Sequence, residues 1–316
     1  MFTNIYIYTA LSVLITFYFI KKSLPFLGKY LLDKPNIRSS HLKAKPRGGG
    51  IFFVIIGSIF SLLAGNKIPI ICLPLAIVGI IDDLYNLSPV KRYFAQFITV
   101  IVLFYLSSFN ALKIFNLPNS FLFLIYLFLI IAGTAVINFA NFMDGIDGLV
   151  GGCFTIIFIS AALINDISIL PLSGAVFGFL ILNWYPSKVF MGDAGSTFLG
   201  AVLTGLIFDC VDFMSFISLV LISSPLLIDA IVCLIRRYFD NQNIFRPHKL
   251  HLYQRLSQAG LSHSTVSIIY ISATLFLFIS NQFYGFNTLL IVFLVTLLLG
   301  IYLDLFVALP FLKSKK

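Results

Sequence analysis

Three short segments place aspartates at the edges of long apolar runs. The stretch GIIDDLYN at 79–86 sets Asp82 beside Asp83, and NFANFMDGIDGL at 138–149 spaces Asn138, Asn141 and Asp144 by threes before Asp147. NWYPSKVFMGDAGSTFLG at 183–200 carries Asp193 within Gly–Asp–Ala–Gly–Ser. Adjacent carboxylates repel, so either one of the Asp82–Asp83 pair stays protonated or a cation lies between them. The pair also closes an apolar run, and a helix C-terminus is the unfavourable end for anions. A hard divalent cation answers both problems; a plain solvated helix end is the simpler alternative. If helical, Asn138, Asn141 and Asp144 share one face. DGIDG looks like a calcium loop but lacks the twelve-residue ligand pattern, so a turn is the competing reading there. A Gly–Asp–x–Gly–Ser segment opening a helix offers free backbone N–H groups to a phosphate and a carboxylate to the phosphate's metal.

Two basic segments accompany them. KPNIRSSHLKAKPRGGGI at 34–51 holds Lys34, Arg38, His41, Lys43, Lys45 and Arg47, then three glycines. Guanidinium forks suit phosphate oxygens, and glycines let backbone approach a ligand. RRYFDNQNIFRPHKLHLYQRL at 236–256 carries His248 and His251 beside Arg246, Lys249 and Arg255. Zinc is disfavoured there, because no cysteine is close in sequence and the aspartate segments are hard-oxygen sites. The cysteines Cys72, Cys153, Cys210 and Cys233 read as small buried residues, with no disulfide framework.

The elements that position these residues must lie in a membrane. The chain has 316 residues, 59% of them hydrophobic and only 10% charged, with a mean hydropathy of +1.03. A bilayer core asks for roughly 20 apolar residues per helix, and lipid-exposed backbone must satisfy itself internally, which favours helices. About eleven spans are expected, near 2–20, 49–65, 68–85, 93–109, 120–137, 150–165, 168–184, 197–211, 213–235, 264–283 and 286–310. The expected fold is thus a single all-α polytopic domain over 1–316, with no separate soluble domain. Lys21 and Lys22 follow the first span rather than precede it, the wrong order for a cleaved signal, so it reads as an anchor. With the N-terminus outside, segments 21–48, 86–92, 138–149, 185–196, 236–263 and the C-terminal tail face the cytoplasm. They collect 19 of the 21 Lys and Arg, leaving Lys67 and Lys113 outside, as the positive-inside rule asks. All twelve acidic residues are Asp, and seven of them (Asp33, Asp82, Asp83, Asp144, Asp147, Asp193 and Asp240) fall at that same face. Asp-bearing and basic segments converging on one membrane face have the composition of a site for Mg²⁺ and a pyrophosphate, with apolar spans beside it for something lipid-like. A secondary transporter, which places ionisable groups near the midplane, is the rival, and the clustering of most carboxylates at one face disfavours it.

The ordered motifs HLKAKPRGGG, GIIDD, NFANFMDGIDGL, NWYPSKVFMGDAGS and the His-bearing last loop resemble those of the polyprenyl-phosphate N-acetylhexosamine-1-phosphate transferases, glycosyltransferase family 4. The resemblance covers nearly the whole chain. It implies transfer of an N-acetylhexosamine-1-phosphate from a UDP-sugar to a polyprenyl phosphate, such as undecaprenyl phosphate. UMP is released at the cytoplasmic face of a bacterial inner membrane, with Mg²⁺ (or Mn²⁺) as cofactor and no nucleic acid involved. Homodimer formation is left open. Asp82 and Asp83 match the family's paired aspartates, for which base or nucleophile roles are proposed, and His251 joins them as a catalytic candidate. Asp193 matches the magnesium ligand, with Asn141 as its companion. Asn138, Asp144, Asp147, Asn183 and Phe190 match nucleotide-sugar contacts, Lys45, Arg47 and Arg92 match positions near the phosphates, and His248 of the last loop is a further substrate-binding candidate. Asp229 matches an aspartate in the span before the last loop. The pattern RPHKLHLYQRL lacks the compact histidine cluster of the GlcNAc and phospho-MurNAc-pentapeptide enzymes. It looks like the subgroup that starts O-antigen or capsule repeat units.

Overall fold

The computed structural model describes residues 2–33, 44–107, 118–243 and 248–311. Lys34, Arg38, His41 and Lys43 of the basic segment, Lys113, and Arg246 of the last loop lie outside the described residues. Each of the eleven expected runs falls on helix. In order they are α1 Phe2–Tyr30, α2 Gly50–Ala64, α3 Ile68–Ile71 with α4 Leu73–Tyr85, and α5 Pro89–Leu106. Then come α6 Asn119–Met143, α7 Leu149–Ile164, α8 Leu170–Asn183, α9 Asp193–Phe208 and α10 Phe213–Phe239. A short helix, α11 Leu252–Gln258, precedes α12 His263–Tyr284 and α13 Phe286–Tyr302, which passes into a wide-turn segment at Leu303–Val307. The protein is an all-α polytopic membrane protein. Among the described residues, six helices have the length and apolarity to cross a bilayer, and four further apolar helices are shorter.

Local chemistry sets the breaks. The run 68–85 splits at Cys72 because Pro74, in the first turn of α4, has no N–H to continue α3. Asn86 ends α4 in the left-handed conformation, φ 50°, which Asn tolerates better than most residues. One feature went unexpected. Leu32–Asp33 (β1) pairs antiparallel with Lys45–Pro46 (β2), in a register that sets Asp33 against Lys45. Two residues per strand are too few for an alternation to be visible.

The core is built around α9, buried from Ala194 to Phe208 and packed by α2, α4, α5, α6, α7 and α10. Lipid tails are as apolar as leucine, so close packing rather than water exclusion must hold such helices together. Small residues permit it: a Cβ on Gly79 of α4 would stand 2.5 Å from Ala194 Cα. That approach brings the C-terminal end of α4 onto the N-terminal end of α9.

Candidate active site

Alternate helix ends meet at one pole of the bundle, and the motif residues meet there with them. Asp83 Oδ1 accepts the Asp193 N–H at 2.9 Å, and Oδ2 accepts the Ala194 N–H at 3.4 Å. The first turn of α9 is therefore capped by a carboxylate from α4, since Gly192 at its own N-cap has no side chain to do so. This resolves the misplaced charge at the end of α4: Asp83 serves the positive end of another helix's dipole.

Arg47 Nη2 stands 2.7 Å from Asp83 Oδ1 and 2.8 Å from Asp193 Oδ1. One cationic nitrogen thus bridges two carboxylates. Arg92, in the first turn of α5, pairs with Asp82 Oδ2 at 3.0 Å and lies 3.9 Å from Asp193 Oδ2. Asp82 Oδ1 accepts the Leu87 N–H at 2.7 Å. From the last turn of α6, Asn141 Nδ2 reaches Asp193 Oδ1 at 3.1 Å and Ser196 Oγ at 2.9 Å. Asp144, one residue beyond α6, takes no hydrogen bond or ion pair from the described residues. Burial raises its carboxyl well above the usual range; Arg47 opposes the shift, while Asp193, Asp83 and Asp147 add to it. For Arg47, burial disfavours the charge, but Asp193 and Asp83 outweigh it and raise the guanidinium further.

A second cluster fixes the loops around the first. Asp147 accepts from the Ser187 N–H at 3.0 Å, Ser187 Oγ at 2.8 Å and Lys45 Nζ at 3.2 Å. His263 Nδ1 lies 3.8 Å away. Burial alone would raise Asp147, but the His263 and Ser187 partners and Lys45 hold it well below the usual range. Lys45 Nζ also donates to Ser187 Oγ at 2.7 Å and sits 5.1 Å over the Phe190 ring. Asn183 accepts the Gly148 N–H at 3.0 Å and donates to the Val189 carbonyl at 2.9 Å. Both ends of that amide thus tie loop to loop. Asn138 is likewise engaged within the bundle, with Gln96 Oε1 at 2.6 Å and the Thr134 carbonyl at 2.9 Å. The glycines of the basic segment also serve the protein's own packing: a Cβ on Gly50 would meet the Met191 carbonyl at 2.5 Å. Backbone bonds of 2.9 and 3.0 Å from Gly49 and Gly50 stitch that segment to Phe190 and Met191.

The last loop folds against the same pole. Asp229 of α10 accepts the Leu252 and Tyr253 N–H groups at 2.7 and 3.1 Å and the Tyr270 hydroxyl at 2.6 Å. His251 is buried, with Nδ1 3.6 Å from Asp229 Oδ1. Burial opposes its charge, but Asp229 prevails and raises it to about 9. His248, 5.0 Å away ring to ring, is instead depressed to about 3 by burial and by His251 and Arg237. The Tyr253 hydroxyl donates to the Phe142 carbonyl at 2.9 Å, which ties the loop to the turn carrying Asp144. Asp304 takes both Arg236 and Arg255 as ion pairs.

The structure therefore gathers Asp82, Asp83, Asp193, Asn141, Arg47 and Arg92 around one point, with Asp144 beside them. Lys45, Asp147, Asn183 and Phe190 form the adjoining loop cluster, and His248 and His251 lie across the Phe142–Asp144 turn. Sequence reading did not single out Gln96, Ser187, Tyr253, His263 or Tyr270. Their only signal was polarity within or beside apolar helices.

Clustered carboxylates and guanidinium groups at one pole of a helical membrane bundle have the chemistry to hold phosphates at a lipid boundary. The profile of glycosyl transferase family 4 matches residues 67–211. The probable undecaprenyl-phosphate N-acetylglucosaminyl 1-phosphate transferase of Bacillus subtilis (strain 168) is 30% identical over 299 residues, spanning 86% of this chain and 82% of its own. The decaprenyl-phosphate N-acetylglucosaminephosphotransferase of Mycobacterium tuberculosis is 27% identical over 289 residues, 74% of this chain and 71% of its own. A phospho-N-acetylmuramoyl-pentapeptide-transferase of Prochlorococcus marinus is 33% identical over 236 residues, 63% of this chain and 62% of its own. The chain belongs to glycosyl transferase family 4, and two of these three relatives are named for a polyprenyl phosphate.

Proposed function

We propose that the protein transfers an N-acetylhexosamine-1-phosphate from a UDP-sugar to a polyprenyl phosphate at the cytoplasmic face of a bacterial membrane. The observation that carries this reading is the Asp82–Asp83–Asp193 cluster with Arg47 and Arg92, drawn from separate helix ends to one point. An oxygen of the lipid phosphate bonds to the sugar-bearing phosphorus, the bridging P–O bond breaks, and UMP leaves with its electron pair. Both reactants are anionic, so the site must first suppress repulsion. Arg47 and Arg92 are suited to that and to charge developing on the departing UMP. Lys45, fixed by Asp147 and Ser187, adds a positioned charge beside Phe190. Asp83 has both oxygens committed to α9, so Asp82 is the better proton acceptor. Its carboxyl lies between Asp193 and Arg92, and the guanidinium of Arg92, 39% exposed, is placed to turn toward a phosphate.

The donor set fits Mg²⁺: Asp193, Asn141 and the unpartnered Asp144 are hard oxygen donors. When bound, such an ion supplies Lewis-acid stabilisation of a phosphoryl oxygen. The cytoplasmic orientation is supported by the distribution of 19 of the 21 Lys and Arg. The last loop favours a role in starting an O-antigen or capsule repeat unit.

The test is a panel of UDP-N-acetylhexosamines, 6-deoxy sugars included, assayed with undecaprenyl phosphate and purified protein. Stoichiometric UMP and a lipid-linked sugar phosphate are expected with at least one donor, and neither without the lipid. UMP appearing without a lipid product, or no UMP with any donor, would remove the reading.

A further inference from the structure

The sequence argues against zinc at the last loop because no cysteine lies near His248 and His251. In the fold that ground disappears. Cys233, two turns before the end of α10, comes to the two histidines, and the thiol sulfur and one ring nitrogen of each histidine lie within 4.8 Å of one another. Cys233 and His251 are buried, at 3% and 2% exposure, and His248 is half-buried.

We infer that Cys233, His248 and His251 form a second metal site, which takes a borderline-soft divalent ion of the zinc class and is distinct from the carboxylate cluster. Three observations carry this. The donors are one sulfur and two imidazole nitrogens, a set that selects zinc over magnesium or calcium. His251 Nδ1, buried and without a hydrogen-bond partner among the described residues, faces Asp229 Oδ1 at 3.6 Å. A ligating histidine is habitually held by a carboxylate at its other ring nitrogen, which fixes the ring and leaves Nε2 for the ion. Asp229 is itself fixed by three further hydrogen bonds, so it is a rigid support. Finally, Cys233 lines a cavity of about 270 Å³ with Asp229, Leu250 and Arg255, so packing does not seal the thiol off.

Ligation has definite consequences. A tetrahedral zinc ion holds sulfur and nitrogen donors about 3.5 Å apart, so any donor pair standing wider than that must draw in, by no more than about 1.3 Å. His248, on the loop, is the member with room to move. It must release the 3.2 Å bond that its Nδ1 accepts from the Leu250 N–H, since a neutral imidazole has one lone pair to give. The thiol gives its proton to solvent, and so does the His251 imidazolium, at Nε2. Three protein donors leave one coordination position open. An ion there clamps the last loop onto α10 and withdraws His251 from any substrate. This inhibitory consequence rests on the transferase reading; the metal site does not.

The experiment is equilibrium dialysis of the purified full-length protein with Zn²⁺ in excess Mg²⁺, alongside Co²⁺ titration read by absorbance. One Zn²⁺ per chain is expected, with a thiolate-to-cobalt charge-transfer band. Cys233→Ser should abolish the band, and both Cys233→Ser and His248→Ala should weaken Zn²⁺ binding at least about tenfold, comparable to losing a supporting contact. Zn²⁺ should slow turnover of the wild type and spare Cys233→Ser. Absence of binding, binding unchanged in both variants, loss of Zn²⁺ to Mg²⁺, or a cobalt complex with no thiolate band each overturns the site. UMP release without Zn²⁺ reports on the transferase reading separately.

Discussion

Asp83 and Asp229 perform one backbone task in two surroundings. Asp83 projects from α4 and accepts two N–H groups at the first turn of α9; Asp229 projects from α10 and accepts two at the first turn of α11. Neither receiving helix caps itself through a side chain at its N-cap position, so each is anchored by a carboxylate from elsewhere in the chain. The surroundings differ. Around Asp83 the neighbours are charges, namely Asp82, Asp193, Arg47 and Arg92, and they outnumber what the cap needs. Around Asp229 the neighbours are the Tyr270 hydroxyl and the enclosed His251. One cap is embedded in surplus charge that a reaction can use; the other saturates its acceptor and holds a loop still.

That contrast is easiest to break at Asp193. Asp193→Asn keeps the side chain's shape and the α9 cap, yet removes a charge from the open cluster. Turnover should fall by about 10²–10³, the scale of losing one electrostatic contact to a reacting group, while the thermal unfolding midpoint in detergent stays near wild type. A midpoint lowered as far as by changes at Asp229 would erase the distinction between the two regions.

Asp229→Asn should do the reverse. One carboxylate oxygen becomes an amide that cannot accept, which orphans an N–H or the Tyr270 hydroxyl at a cost of about 1–3 kcal/mol. The expected signs are a lower unfolding midpoint and faster proteolysis within 236–263. Turnover at low temperature should fall less than in Asp193→Asn.

The smallest effect sharpens the picture through pH. His251 is raised in the folded protein to about 9, against about 6.5 for a free imidazole. Stability from the protonated ring is therefore complete below about pH 6.5, declines as pH rises, and is gone above about pH 9. In chelator-treated protein the unfolding midpoint should drift down across that window. In Asp229→Asn the main support of the charge is lost and only Cys233 still opposes burial, so the downward drift should shrink. Equal slopes in the two proteins would mean that Asp229 does not hold the charge.

Much of the open cluster was legible because its residues sit in short motifs at helix ends. Asp82, Asp83, Asn141, Arg92 and Asp193 each border an apolar run long enough to read. What joins them was not legible. That Asp83 caps α9 depends on the close approach of Gly79 to Ala194, which no spacing reveals. Gln96, His263 and Tyr270 acquire partners 40 or more positions away, and Cys233 meets its histidines only across the last loop, so their roles exist only once helices pack. The helix α11 was missed because seven residues carry too little periodicity. A faint signal was present in Gln254, whose Oε1 accepts the His251 N–H at 3.3 Å three residues back, the reciprocal half of a capping box.

The clasp of Asp304 on Arg236 and Arg255 has a consequence for biogenesis. Arg255 lies on the helix that Asp229 caps, and its partner follows 49 positions later in the chain. During synthesis the last loop emerges first and waits while α12 and α13 enter the membrane. Only then does Asp304 arrive to neutralise the two guanidinium groups, and only then does the Leu309 N–H reach the Arg255 carbonyl, at 3.2 Å. The histidine loop thus gains its last fastening from the final helix, so a nascent chain stalled before α13 holds that loop through Asp229 and Tyr253 but lacks the Asp304 clasp.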